Sequence, residues 1–258
     1  LQFVQGLLRR VLALVGQRLT VHYFVFDGAF GHNQALQMVR RTGLELISKL
    51  RHNAALYLPY DGHRDRGCRR KYGAKLQYRQ LPAASLKATL KAGHLHTAIY
   101  QMTVWHKTFP DPLNVVVIVK TNQRTGAQAH IVLFSSDLDL GYEQLIDYYR
   151  LRFQIEFNFR DAKQYWGLED FMVVKQTPVY NSANLALFMT TLSQVLIRPL
   201  RQGCPAFSVN DLKAWFRGRK YVLETIKFLP QKPESINIEQ LVAQTAQLGR
   251  IHQDLKVA

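Results

Sequence analysis

The stretch VHYFVFDGAFGHNQALQMVRRTGLELISKLRHN, residues 21–53, contains a strand, a helix and a second strand in succession. Residues 21–27 form an apolar run typical of a buried strand, and the run ends at Asp27, just before the turn residue Gly28. Helical spacing follows and stops at Gly43, a residue typical of the position after a helix. This order predicts an α/β fold with Asp27 beyond the carboxyl end of a strand, where such sheets place functional groups.

Two cations end the second strand, at the sheet edge expected to carry Asp27. Lys49 and Arg51 either form a solvated strand end or contact a phosphate. Asp27 also has two interpretations, because an Asp before Gly often caps a turn. Its alternative role is to bind a divalent metal together with a second carboxylate.

The charge of the chain is its most unusual global property. The 258 residues include 34 Lys and Arg against 18 Asp and Glu, a formal charge of +16 with a pI near 10.0. This excess predicts a polyanionic partner, chiefly nucleic acid. Residues 185–200 are too few and too polar for a membrane span. Two distant cysteines predict a reducing compartment without a zinc site, and the cytoplasm fits best.

The hydrophobic pattern and the turn residues of the sequence divide the chain into four regions. Residues 1–51 carry the strand–helix–strand run, 52–136 are β-rich with turn signals, 137–176 hold a long helix, and 177–258 are helical. The β-rich region contains a basic loop, which either tracks a nucleic-acid backbone or is simply solvated. Its cations are Arg64, Arg66, Arg69, Arg70 and Lys71. Trp105 in the same region either packs in a core or stacks on an unpaired base.

The stretch YYRLRFQIEFNFRDAK, residues 148–163, carries a charged stripe on an otherwise apolar segment. On one continuous helix capped by Asp139 and ending near Gly167, the stripe spans a sector of roughly 80°, with apolar residues expected to pack on both sides. Its members are Tyr149, Arg152, Glu156, Arg160 and Lys163. An Arg152–Glu156 ion pair on a half-exposed helix is the simpler interpretation. A lone carboxylate among phosphate-seeking groups favours a site that includes Asp27.

Four residues of this stripe carry a resemblance. Tyr149, Arg152, Glu156 and Lys163 match the spacing Y-(2)-R-(3)-E-(6)-K. With the block around Asp27 and the long β-rich interval that follows, the chain resembles the DDE transposases of bacterial insertion sequences, in the group that carries this YREK signature (IS-four-like). The resemblance implies a ribonuclease H-like α/β core, an inserted antiparallel β subdomain and C-terminal helices.

The resemblance also implies a cut-and-paste mechanism with two metal ions. Asp27 and Glu156 are then the catalytic, metal-binding carboxylates for Mg²⁺, with Mn²⁺ as a substitute. The stripe cations and Tyr149 bind phosphates of double-stranded DNA, at transposon ends and at the target. The residues expected to contact phosphate are Tyr149, Arg152, Arg160, Lys163, Lys49 and Arg51. A homodimer is expected in the synaptic complex.

One departure from the family pattern concerns the first catalytic Asp. That residue lies upstream of the block containing Asp27, and residues 1–26 contain no Asp. We therefore expect a fragment of the catalytic domain, N-terminally incomplete and inactive alone. The alternative is a non-catalytic, DNA-binding remnant of a transposase. An RNA-binding protein is a weaker interpretation, because no known RNA-binding signature is present.

Overall fold

The computed structural model describes residues 1–62, 70–231, 235–245 and 247–252. The chain divides into two compact units, Leu1–Phe153 and Gln154–Ala258. In the described part no helix is both long enough and apolar enough to span a bilayer.

The first unit is built on one mixed sheet, which the described residues form from eight strands. They are β1 (Tyr23–Val25), β2 (Glu45–Leu50), β3 (Leu56–Pro59), β4 (Tyr72–Lys75), β5 (Leu86–Ala92), β6 (Leu95–His106), β7 (Leu113–Asn122) and β8 (Gln128–Ser135). Their order is β1-β2-β8-β7-β6-β3-β4, and β5 also pairs with β6. Only the β1–β2 pair is parallel among these strands, and Asp27 follows β1 at the end where β2 reaches Lys49.

Three helices cover the two faces of this sheet: α1 (Gln2–Val15), α2 (Asn33–Arg40) and α3 (Tyr142–Leu151). Residues alternate along β2, so that Leu46 and Leu50 join a core with α1 and α2, whereas Ile47 joins a second core with α3. The buried hydroxyl of Ser136 donates to Glu45, and the backbone N–H of Leu46 donates to the same hydroxyl. Packing against two cores and these hydrogen bonds therefore hold β2 in place.

The second unit contains helices joined by turns, and no strand, in the part that the structure describes. Its helices are α4 (Phe153–Trp166), α5 (Gln176–Leu200), α6 (Val209–Lys227) and α7 (Ser235–Thr245). A capping box begins α6, in which Ser208 and Asp211 satisfy each other's backbone N–H groups. Small apolar clusters hold the unit together, one around Ile197 and Leu212 and another around Ala162.

The mixed α/β architecture and the strand–helix–strand run, now β1–α2–β2, are confirmed. Gly43 adopts a φ of 79°, the left-handed conformation expected after a helix. The antiparallel strands predicted in the β-rich region extend the same sheet, because β8 pairs directly with β2. The sequence reading missed the short strands β3, β4 and β5. The boundaries at 51/52, 136/137 and 176/177 and the ribonuclease H-like topology remain predictions.

The long helix predicted from Asp139 to Gly167 is wrong in two respects. It begins only at Tyr142, because the carbonyl of Leu140 accepts hydrogen bonds from Gln101 and Asn114 and Asp139 itself closes a turn on Asp137. It is also interrupted at Arg152, where the backbone N–H bonds the carbonyl three residues back, at Tyr149. The result is two helices, α3 and α4, in place of one.

Candidate active site

Asp27 is fixed to the end of β2 through its backbone carbonyl, and its side chain caps the turn that follows. The hydroxyl of Ser48, which is fully buried, donates to the Asp27 carbonyl at 2.6 Å, and the N–H of Phe26 donates to Ile47. One carboxylate oxygen of Asp27 accepts from the N–H of Ala29 at 2.9 Å. The Asx-cap interpretation is thus confirmed. It leaves further acceptor capacity on the same carboxylate, which has about four lone-pair sites.

One glycine, Gly31, allows the turn after Asp27 to lie directly against β2. A Cβ at Gly31 would stand 2.3 Å from the carbonyl oxygen of Lys49 and 3.1 Å from that of Gly28. A Cβ at Gly28 would stand 3.5 Å from the same carbonyl oxygen of Lys49, an ordinary van der Waals contact. The close approach at Gly31 excludes any larger residue without movement of the backbone. Asp27 therefore keeps a fixed position relative to Lys49.

A cavity of about 520 Å³ opens at this edge of the sheet. Its lining is rich in basic and polar groups, including Gly28, Lys49, Arg51, His52, Asn53 and His130. The side chains of Lys49, Arg51 and His52 are exposed. A concave surface lined by cations concentrates anions, so this cavity can accept a phosphate group.

Tyr149, at the end of α3, is affected by the charges of both Arg152 and Asp27 within the first unit. The Arg152 guanidinium lies 5.8 Å from the centroid of the Tyr149 ring and 4.5 Å from that of Phe153. Burial raises the pKa of the Tyr149 hydroxyl, Arg152 acts to lower it, and the negative charge of Asp27 adds to the rise. The charges of Asp27 and Arg152 thus act in opposite directions on the same hydroxyl.

The other members of the stripe lie on α4, in the second unit. Glu156 is exposed in the first turn of this helix. Arg160 pairs with Asp161 at 3.0 Å and lies 5.0 Å from the ring centroid of Phe157, while Lys163 pairs with Glu169 at 2.7 Å. Both cations therefore already have carboxylate partners. Their binding to phosphate, and the pairing of Glu156 with Asp27, remain predictions.

The prediction that apolar residues pack on both sides of the stripe is wrong for the first half of α4. Phe153, Ile155, Phe157 and Phe159 are between 43% and 48% exposed, and only Ala162 is buried on this helix. The physical reason is the position of the helical core. Its cluster around α4 begins at Ala162, so the preceding turns have no core to enter.

The aromatic and basic residues of the β-rich region are partly described. Residues 63–69 lie outside the described ranges, and with them three cations of the predicted basic loop, Arg64, Arg66 and Arg69. Lys71 lies 5.1 Å from the ring centroid of Trp105, which also contacts the ring of Tyr72. Trp105 is half-buried in this aromatic group, and its stacking on a base remains a prediction.

A comparison with family models gives the class of the protein. Residues 2–192, about three quarters of the chain, match the model described as the transposase DDE domain. The chain belongs to the transposase DDE-domain family. No curated protein matches the chain. The family supports a transposase function and DNA binding, in agreement with the basic charge of this DDE domain.

DDE domains generally use divalent metals, and Asp27 and Glu156 supply the ligand type that Mg²⁺ prefers. In the ranges that the structure describes, however, no group of three or more His, Cys, Asp or Glu side chains gathers to hold a metal ion. The donor chemistry of this DDE domain thus fits the metal, but the described residues do not form a complete ligand set.

The sequence reading missed two groups at this site, Ser48 and His130. A buried serine in an apolar strand is a weak signal for an anchoring hydroxyl, and nothing local distinguished it. His130 lies near the start of β8, far from Asp27 in the sequence, and the pairing of β8 with β2 brings it to the cavity.

Proposed function

We propose that this DDE domain is the catalytic part of a cut-and-paste transposase of the YREK group, which transfers phosphoryl groups at transposon ends. The supporting observation is that Asp27 directly precedes Gly28, which lines the basic cavity together with Lys49 and Arg51, and that the charge of Asp27 also acts on Tyr149. A carboxylate beside phosphate-binding groups is the arrangement that phosphoryl transfer requires. The proposal includes a ribonuclease H-like core, a homodimer in the synaptic complex and a cytoplasmic location.

The cations and the tyrosine position the DNA backbone. Lys49 and Arg51 bind a phosphate in the cavity, and Arg152 binds another beside Asp27, as a guanidinium does well with two parallel hydrogen bonds. The raised pKa of Tyr149 keeps its hydroxyl protonated, so that it donates a hydrogen bond to a phosphate oxygen. Arg160 and Lys163 act in the same way after they exchange their carboxylate partners for phosphates.

Asp27 and Glu156 are the residues that would hold Mg²⁺, or Mn²⁺ in its place. A bound divalent ion of this kind polarises a phosphoryl oxygen and stabilises the charge that develops in the displacement. The Ser48 hydroxyl and the close packing at Gly31 keep the Asp27 carboxylate in position for this role.

A non-catalytic, DNA-binding remnant is the second candidate. One observation supports it: the described residues gather no group of three metal ligands. In that case the basic surface binds DNA but no strand is cut.

Incubation of the 258-residue chain with supercoiled plasmid and Mg²⁺ or Mn²⁺ tests whether the chain supplies enough carboxylates for a two-metal site. We expect retarded migration without nicking, because Asp27 and Glu156 alone leave a two-metal site short of one ligand. Nicking that disappears in Asp27→Asn and Glu156→Gln variants would show that the chain contains a complete site.

A longer version that supplies a third carboxylate upstream separates the two candidate functions. We expect it to nick the plasmid in the presence of Mg²⁺, and its Glu156→Gln variant to bind DNA with little change and to lose cleavage. Cleavage at the original rate in that variant would remove Glu156 from the active site. Absence of cleavage from both versions supports the non-catalytic remnant.

A further inference from the structure

Two side chains from distant parts of the chain hold the turn that carries Arg51 and His52. This turn, residues 51–54, is closed by the N–H of Ala54, which donates to the Arg51 carbonyl at 3.0 Å. The Tyr78 hydroxyl donates to the Ala54 carbonyl at 2.7 Å. Nε2 of His130 lies 2.7 Å from the His52 carbonyl oxygen. Two of the backbone carbonyls of the turn are thus bonded from outside it.

The two side chains also support each other. The rings of Tyr78 and His130 stack with their centroids 4.4 Å apart and an angle of 17° between their planes. Because a carbonyl oxygen only accepts hydrogen bonds, Nε2 of His130 must carry the hydrogen. Burial raises the pKa of Tyr78 to about 12, so its hydroxyl remains a donor at neutral pH. Tyr78 and His130 therefore donate one hydrogen bond each to the turn, and their stacked rings hold both donors in place.

The position of the 51–54 turn determines where the basic side chains that it carries lie in the cavity. The exposed side chains of Arg51 and His52 project from it, and Lys49 ends the strand that leads into it. His130 itself lines the cavity. An arginine on an unsupported turn loses conformational freedom on binding a phosphate, whereas an arginine on a braced turn has lost part of it already.

We propose that Tyr78 and His130 are positioning residues for the DNA backbone, which act by holding the 51–54 turn so that Arg51 meets a phosphate in the cavity. This inference rests on the proposed DNA-binding function and deepens it.

The test is the salt dependence of binding of the 258-residue chain to a short fluorescent DNA duplex, measured by anisotropy. Arg51→Ala should weaken binding about tenfold, as loss of one charge-assisted hydrogen bond does. It should also lower the log–log salt slope by about one unit. We expect His130→Ala to give most of both effects, although it removes no phosphate-binding cation. His130→Gln, whose side-chain amide can still donate to the His52 carbonyl, should restore part of the affinity.

A double-mutant cycle separates positioning from a general loss of stability. In the Arg51→Ala background, His130→Ala and Tyr78→Phe should have little further effect, because the group that they position is gone. The matched control is His22→Ala. His22 is exposed and precedes β1, at the end of the strand opposite to Asp27, so its replacement should leave the affinity and the salt slope unchanged. Thermal melts of every variant confirm that binding is measured on folded protein.

The failure of this inference differs from the failure of the proposed function. If Arg51→Ala weakens binding but folded His130→Ala and Tyr78→Phe do not, the positioning role is wrong and the DNA-binding role stands. Additive effects in the double mutants contradict positioning in the same way. If Arg51→Ala itself has no effect, the positioning role is wrong, while the proposed function keeps its other phosphate contacts. If the wild-type chain binds no DNA, both proposals fail.

Discussion

Gly31 has no Cβ, and this allows the turn after Asp27 to lie directly against β2. A Cβ there would lie 2.3 Å from a backbone oxygen, which no rotamer change relieves. We expect Gly31→Ala to lower the free energy of unfolding by about 1–3 kcal/mol, the range for overpacking at a rigid contact. DNA affinity should fall as well, because Asp27 and Lys49 move apart.

Gly6→Ala is the matched control for this prediction. Gly6 lies within α1, with open space where its Cβ would stand. Alanine at such a position should be neutral or stabilising by roughly 0.5–1 kcal/mol. Urea unfolding of both variants measures the contrast, and a Gly31→Ala variant as stable as the parent would contradict the close packing.

Asp211 is a fully buried carboxylate that joins the start of α6 to the segment at residues 250–252. It accepts hydrogen bonds from the N–H and hydroxyl of Ser208, from the N–H of Ile251 and from the N–H of His252, and it pairs with the His252 ring. Burial raises the pKa of Asp211, but the hydrogen bonds from His252 and Ser208 outweigh it and hold the pKa well below its usual range.

The depressed pKa gives a predicted pH dependence of stability. A carboxyl group that is more acidic when folded contributes its full stabilisation above its unfolded pKa of about 4, and loses it as the pH falls toward the lower folded value. Asp211→Asn should therefore lose about 2 kcal/mol or more at neutral pH, and the gap from wild type should narrow in acid. Thermal melts across this pH range measure the gap, and a constant gap would contradict the linkage.

At the scale of the element, the break between α3 and α4 at Arg152 divides the charged stripe between two helices. Tyr149 and Arg152 lie at the end of α3, whereas Glu156, Arg160 and Lys163 belong to α4. Because α4 packs only from Ala162 onward, its first turns expose apolar side chains around Glu156. The two halves of the stripe are therefore held by different cores.

Arg152→Ala and Lys163→Ala should each weaken DNA binding and lower the log–log salt slope by about one unit, as expected for phosphate contacts. Arg150→Ala is the matched control, because this exposed arginine pairs with Asp147 on another face of α3. Anisotropy titrations at several salt concentrations give the slopes. Unchanged slopes in both stripe variants would reduce the stripe to a structural network of ion pairs.

At the scale of the whole molecule, a large positive charge opposes self-association. The first strand of the sheet order, β1, pairs only with β2 among the described strands, and several large apolar side chains are exposed. Such an edge and such side chains promote association, while the charge of +16 keeps copies apart at low salt.

We therefore expect added NaCl to increase light scattering by the purified chain, because salt screens the repulsion between copies. Val21→Lys, which places a charge just before the β1 edge, should raise the salt concentration at which scattering begins. Val21 is 39% exposed, so this change removes little core packing. Scattering that decreases with salt would show that electrostatic attraction, and not the apolar edge, drives association.

The sequence by itself determined the class of fold, the β1–α2–β2 run and the residues of the charged stripe. These follow from local causes: apolar periodicity, a glycine after a helix and the excess of Lys and Arg. It also placed Asp27 and Lys49 at one sheet edge, because parallel strands end together.

Only the tertiary structure decided the remaining features. Leu140 delays the start of α3 because its carbonyl bonds side chains from β6 and β7, and α4 exposes its first turns because its core begins at Ala162. His130 reaches the 51–54 turn because β8 pairs with β2, and Tyr78 reaches it from the segment after β4, which pairs with β3. Each of these contacts joins residues far apart along the chain, and the local periodicity of a sequence carries no information about such contacts.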